Sequence, residues 1–216
     1  MNDDERQPFV VGIEKVLKQI HPNLEIESSA STFLLELLIV YLSKFTHALS
    51  HLKEEREVSD DDFMKDAIGN CIPTTELRKH AINEADKAMN HLKACDTANV
   101  SITTKARLQF DVESAEKFMK QIMSKYIDAD EIYGNKSIHV GLISVWGAAT
   151  TEYLCAEILE LSGNACKDDD ACQDDGEVDR HIKVSHIVAA IKADEELIDM
   201  CDSYGKSVLS KNKVAG

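Results

Sequence analysis

Apolar residues recur at three- and four-residue intervals along most of this chain, the spacing of one face of an α-helix. Phe9, Ile13, Val16, Leu17 and Ile20 form the first stripe, and His21-Pro22 closes it because proline disfavours helical backbone in the residue before it. After a loop at residues 23–27, Phe33, Leu34, Leu37, Leu38, Tyr41, Leu42, Phe45, Ala48, Leu49 and Leu52 continue one face for six turns. Such a stripe must be covered along its whole length. Ser59 followed by Asp62 has the form of a capping box opening a third helix through Asp66, Ala67 and Ile68. Pro73 then begins a helix with the face Leu77, Ala81, Ala85, Ala88 and Leu92. Residues 95–104 are polar and carry no stripe, so a linker is expected at residues 96–106. A second cycle follows. Asp111 is suited to cap a helix bearing Ala115, Phe118, Met119, Ile122, Met123 and Tyr126, and residues 127–138 form a loop. Residues 146–164 make a long helix with the face Leu154, Ile158, Leu161 and Ala165, while Glu152, Glu157 and Glu160 point elsewhere. An acidic insertion at residues 167–177 precedes short helices at 185–191 and 194–200. The predicted fold class is all-α: two tandem helix-loop-helix-loop-helix units.

Composition narrows the picture. Three prolines and nine glycines among 216 residues suit a helical chain. No run of about 18 uninterrupted apolar residues occurs, and the acidic start MNDDERQP does not look like a secretory leader, so an intracellular protein with no membrane partner is expected. The first eight residues have no apolar period and are expected to be disordered. The formal net charge of −15 opposes unaided binding to a polyanion. It is spread evenly: 18 acidic and 11 basic residues lie up to Thr104, with 21 and 13 beyond. The six cysteines form no CxxC pair and mostly fall within helical patterns, which reads as reduced packing residues. Cys166, Cys172, His181 and His186 have the residue types of a zinc site, but their gaps fit no standard finger. No cofactor and no catalysis are expected, since there is no glycine-rich phosphate loop and Cys155 falls within a helical pattern.

Several sequence words resemble a known family. Ala156-Glu157-Ile158-Leu159-Glu160-Leu161-Ser162-Gly163-Asn164 and Ala193-Asp194-Glu195-Glu196-Leu197 resemble the central helix and acidic turn of histone 2A, and residues 107–112 resemble the entry to its fold. Lys15-Val16-Leu17-Lys18-Gln19-Ile20-His21-Pro22 and Glu76-Leu77-Arg78-Lys79-His80-Ala81-Ile82-Asn83-Glu84 are similar to the first and added last helices of histone 2B. The order resembles the fused 2B–2A doublets of giant DNA viruses of the Marseillevirus-like type, in shortened form. The resemblance implies a 2B-like histone fold with its C-terminal helix over residues 9–95, a 2A-like fold over 107–203 and a short tail at 204–216. The two folds would clasp as an intramolecular pair, with short parallel strands bringing Ile26 near Ile182 and Ile138 near Val58.

The resemblance also implies sites. A carboxylate cluster for arginine-bearing basic peptides carries over as Glu76, Glu84, Glu152, Glu157, Glu160, Asp194, Glu195 and Glu196. DNA-contacting charge is retained at Lys53, Arg56, Lys105, Arg107, Lys136 and Arg180, but interspersed acids should leave that contact weak and salt-sensitive. The implied role is structural: two copies assemble with a 4–3 doublet, or equivalent core histones, and double-stranded DNA into a nucleosome-like particle, located in the virion and in the viral factory or host nucleus. The acidity motivates a second expectation, a histone-fold chaperone, decoy or transcription subunit that does not wrap DNA.

Overall fold

The computed structural model describes residues 2–52, 61–125, 140–169 and 181–203. The first unit comprises α1 (Asp3–Ile20), β1 (Glu25–Ile26), α2 (Ser28–Leu52), α3 (Asp61–Cys71) and α4 (Thr75–Ala94). The second comprises α5 (Ile102–Ala106), α6 (Val112–Met123), α7 (Val140–Asp168), β2 (His181–Ile182), α8 (Val184–Ala193) and α9 (Glu195–Ser203). Two tandem histone folds are present, as the stripes and the resemblance predict. One expected loop meeting is in place: β1 runs parallel to β2 with Ile26 opposite Ile182, and the Glu27 N–H donates to the Ile182 carbonyl at 3.0 Å. The other, Ile138 with Val58, lies outside the described residues, as does the Ser59 cap.

The long helix α7 is the axis of the molecule. It packs against α1, α2 and α4 of the first unit and against α6 and α8 of its own. Surrounded in this way it buries Leu154, Cys155, Ile158, Leu159, Ser162 and Cys166. The expected narrow face is therefore corrected: elements on several sides extend burial around α7 to Cys155, Leu159 and Cys166, while Leu161 and Ala165 are only half-buried. Its partner α2 buries Leu34, Leu38, Tyr41, Leu42, Phe45 and Leu49. Ser28–Ser50 is long and apolar enough to cross a membrane, but those side chains are consumed against α3, α6 and α7.

Where α2, α6 and α7 converge, Gly147 sets the separation. A Cβ there would stand 3.0 Å from both Leu42 Cδ1 and Met119 Sδ. One turn on, the buried Tyr41 hydroxyl donates to Thr150 Oγ1 at 2.8 Å, which donates in turn to the Trp146 carbonyl at 2.9 Å. The buried Tyr41 hydroxyl is thus satisfied through the other unit. A second close approach lies at the C-cap of α1. The buried His21 ring sits over Gly163, with Nε2 3.1 Å from the Glu160 carbonyl and Nδ1 3.2 Å from Lys167 Nζ. An ammonium can only donate, so Nδ1 accepts and Nε2–H donates to the carbonyl.

Two expectations about irregular segments are corrected. The chain is helical from Asp3, not disordered through Pro8, because Asn2 and Glu5 form a capping box: the Asn2 side chain accepts from the Glu5 N–H, and the Glu5 carboxylate accepts from the Asn2 N–H, both at 3.0 Å. Capping supplies what the missing apolar period concealed. Within the expected linker, Ser101 caps the one-turn helix α5, which buries Ala106; five residues are too few to show a stripe. Burial pushes the thiols of Cys71 and Cys201 up to about 12 and about 11, and that of Cys155 well above its ordinary value, consistent with reduced packing cysteines. Cys166 is likewise buried.

A Cβ at Gly163 would overlap Cδ2 and Nε2 of His21. Gly163→Ala should therefore cost about 3 kcal/mol of unfolding free energy in chemical denaturation. Combined with His21→Ala, the loss should be smaller than the sum of the two single changes.

Candidate functional site

The carboxylates singled out in the sequence converge where α4 crosses α7. A groove of about 370 Å³ runs between α1, α4, α7 and the turn after α5, and Glu84, Glu152, Glu157 and Glu160 all line it. Tyr153 forms part of its wall and stacks on His80 of α4, ring centroids 6.4 Å apart at 17°. Glu76 lies beside that stack, 4.0 Å from His80 Nε2. From the end of α8, Asp194 reaches close enough to Glu157 to disfavour its ionised form, and Glu196 acts likewise on Tyr153. Glu195 is exposed in the first turn of α9. Residues separated by more than a hundred positions thus share one face.

They do not share one role. Glu152 points inward, where its Oε2 accepts the backbone N–H groups of Gln109 and Phe110 at 2.6 and 2.9 Å. This corrects the expectation that its side chain points away from the core. Burial raises the Glu152 carboxyl above its usual range, the two N–H donors pull it down, and Glu84 raises it again. Glu196 Oε2 accepts the Leu77 N–H at 2.6 Å. Thr74, the N-cap residue of α4, makes no side-chain capping bond, so a carboxylate from the second unit caps a helix of the first. Asp194 accepts from the Leu197 N–H at 2.9 Å and caps its own helix. Glu84 pairs with Lys87 at 2.6 Å and Glu76 with Lys79 at 3.3 Å, pairs that neutralise part of the surface charge but contribute little stability where exposed.

Glu157 and Glu160 remain as groove acids whose carboxylates form no ion pair and cap no helix among the described residues. Burial raises the Glu157 carboxyl, a hydrogen bond with the Tyr153 hydroxyl lowers it, Glu160 and Asp194 raise it further, and His80 lowers it. A half-buried carboxylate of this kind gains most from an incoming guanidinium, which supplies charge and paired donors together.

The cationic positions are placed differently. Lys53, Arg56, Lys136 and Arg180 lie outside the described residues. Lys105 ends α5 and approaches Cys95, whose thiol is held below its usual value first by hydrogen bonds from Thr97 and then by that charge. Arg107 is left-handed at φ 60° and lines the acidic groove. The groove that Arg107 lines also holds Glu84, Glu152, Glu157 and Glu160. Among the described residues no group of three or more metal-ligating side chains converges. Cys166 donates to the His181 carbonyl, while His186 receives the Lys183 N–H at 3.1 Å and lies 3.2 Å from Asp169. Cys172 is not among the described residues.

Sequence reasoning missed Tyr153 and His80, whose pairing needs the crossing of two units, and it missed the inward turn of Glu152. The capping residues Asn2 and Glu5 were detectable from their spacing alone.

No protein-family profile matches the chain. A histone 2B–2A doublet of Melbournevirus is 28% identical over 209 residues, which span 96% of this chain and 69% of the doublet. A histone 2A of Agaricus bisporus is 36% identical over 120 residues, 55% of this chain and 70% of that protein. A histone 2AX of Tetrahymena thermophila is 37% identical over 106 residues, covering 49% of this chain and 62% of the relative.

Two outcomes follow from the carboxylate geometry. Glu196→Ala should cost about 1 kcal/mol in denaturant unfolding through the lost cap on α4, whereas Glu195→Ala should change stability by less than about 0.5 kcal/mol. The Glu157 carboxyl is raised in the folded state, so its ionisation costs stability as pH climbs through that raised value, and the cost vanishes at acid pH where it is protonated. Glu157→Gln should accordingly melt about 2 °C higher than the parent at pH 7. That advantage should disappear near pH 4.

Proposed function

This chain belongs to the histones, and from that premise we propose that it is a structural chromatin protein: a 2B–2A doublet that packages DNA with partner histones. Two copies would join a fused 4–3 doublet, or equivalent core histones, and double-stranded DNA in a nucleosome-like particle. The observation that carries this reading is the internal pairing itself. Both long helices cover each other within one chain, so the unit is ready to assemble without a preceding encounter between separate 2B and 2A chains. The Melbournevirus relative supports the same order of units and a viral setting; in such a setting the protein would lie in the virion and in the viral factory or nucleus of the infected cell.

The acidic groove serves in this reading as the docking site for arginine-bearing basic peptides. Glu157 and Glu160 accept the guanidinium beside the Tyr153–His80 stack, while Glu152 and Glu196 hold the walls in place. DNA contact falls to Lys53, Arg56, Lys105, Arg107, Lys136 and Arg180. The contact is weak and salt-sensitive for a chain of net charge −15.

The net charge also favours a second reading, an acidic histone-fold chaperone, decoy or transcription subunit that binds basic histones and excludes DNA. Reconstitution separates the two. The chain, partner core histones and DNA should yield a particle that protects a defined DNA length from nuclease at low salt. Tight binding to free basic histones without protected DNA would favour the second reading, and failure to co-assemble at every salt concentration would sink the first. Independently, the double change Glu157→Lys and Glu160→Lys should abolish capture of an arginine peptide, measured by calorimetry, while the helical circular dichroism is retained. Persisting capture would reject the groove assignment.

A further inference from the structure

The outer face of α6 carries Lys117, Lys120 and Gln121, three and four residues apart and therefore side by side. Lys120 is already engaged by Glu116 on the same helix at 2.5 Å. Lys117 and Gln121 are met from elsewhere, by the first turn of α1. Glu5 Oε1 accepts from Gln121 Nε2 at 2.8 Å and lies 4.0 Å from Lys117 Nζ. The other oxygen of the same carboxylate receives the Asn2 N–H at 3.0 Å. Hydrogen bonds from Gln121 and Asn2, followed by the charge of Lys117, hold this carboxyl below its ordinary range. An amide donor and an ammonium on adjacent turns are thus filled by an anion from the opposite end of the fold.

We propose that Lys117 and Gln121 form an anion seat on α6 that Glu5 fills in the free protein, and that a DNA phosphate takes this seat only by displacing the first turn of α1. This rests on the reading of the chain as a DNA-assembling histone doublet. A phosphate oxygen accepts the same amide and ammonium donors as a carboxylate oxygen does, so the two ligands compete for one position. The occupying turn also carries Asp3 and Asp4, which repel the backbone of an approaching duplex. It is held by the Asn2–Glu5 capping box, and the first turn of a helix held in this way opens at low cost. The Lys117 side chain remains 68% exposed while Glu5 is 19% exposed, so the cation faces solvent and its blocking anion is tucked beneath. The acidic start of the chain is then an internal competitor for DNA, which keeps the free protein off nucleic acid until neighbouring histones supply enough positive charge to displace it.

Fluorescence anisotropy with a short DNA duplex at low salt tests this on the full chain. Glu5→Ala should bind roughly three- to tenfold more tightly than the parent, with the slope of log affinity against log salt steeper by about one phosphate. Asn2→Ala, which loosens the turn without changing net charge, should gain roughly twofold. Glu14→Ala removes the same charge from an exposed position on the same helix and should gain less than either. Adding Lys117→Ala and Gln121→Ala to Glu5→Ala should erase the gain, and circular dichroism checks that each variant keeps its helices. Equal gains from Glu14→Ala and Glu5→Ala, or a gain that survives loss of Lys117 and Gln121, would overturn the seat. So would failure of every variant to bind the duplex. Particle reconstitution with partner histones reports separately on the packaging reading, because there the partners supply most of the DNA contact.

Discussion

Two long helices that cannot shield themselves govern this structure. The apolar surface of α2 and α7 exceeds what the short helices of either unit cover, so each must be completed by the other unit. The crossing is therefore the most constrained place in the molecule. Gly147 lets α2 and α6 approach α7 closely, Tyr41 finds its hydrogen-bond partner in Thr150 of the opposite unit, and Gly163 makes room for His21. Neither unit would keep its pattern of buried residues alone, which explains why covalent joining in one chain suits this architecture.

The same dependence reaches the surface acids. Glu152 and Glu196 each satisfy backbone N–H groups of a neighbouring element, and Glu196 does so across the two units. Their charge is partly consumed in holding the groove together, which leaves Glu157 and Glu160 as the groove acids that neither cap a helix nor form an ion pair among the described residues. A row of acids equivalent on paper thus divides into wall and contact. The physical cause is burial: a carboxylate removed from water must find donors, and in this fold the nearest ones are unpaired amides at helix starts and turns.

On the cationic side the chain neutralises itself. Lys120 pairs with Glu116, and Lys117 and Gln121 face Glu5. Cationic groups are thus engaged locally in a chain whose bulk charge is already −15. Local pairing is less screened by salt than a diffuse field is, so it persists under conditions in which net repulsion has faded.

Much of the fold was legible in the sequence because helical periodicity is a local property. The stripes at Phe9–Ile20 and Phe33–Leu49, the break at His21-Pro22, the Asp111 cap and the meeting of Ile26 with Ile182 all follow from short-range pattern and family resemblance. The capping box at Asn2 and Glu5 was also written locally, but it was masked by the lack of apolar residues around it. What only the tertiary structure decided is which way individual polar groups face. The turn of Glu152 toward Gln109 and Phe110, the capping of α4 by Glu196, the stacking of His80 on Tyr153 and the placing of Arg107 in the groove join residues roughly 40 to 120 positions apart. Periodicity determines that a face exists. The partner across it, and so the charge state and donors each residue meets, is set only when the two units close on each other.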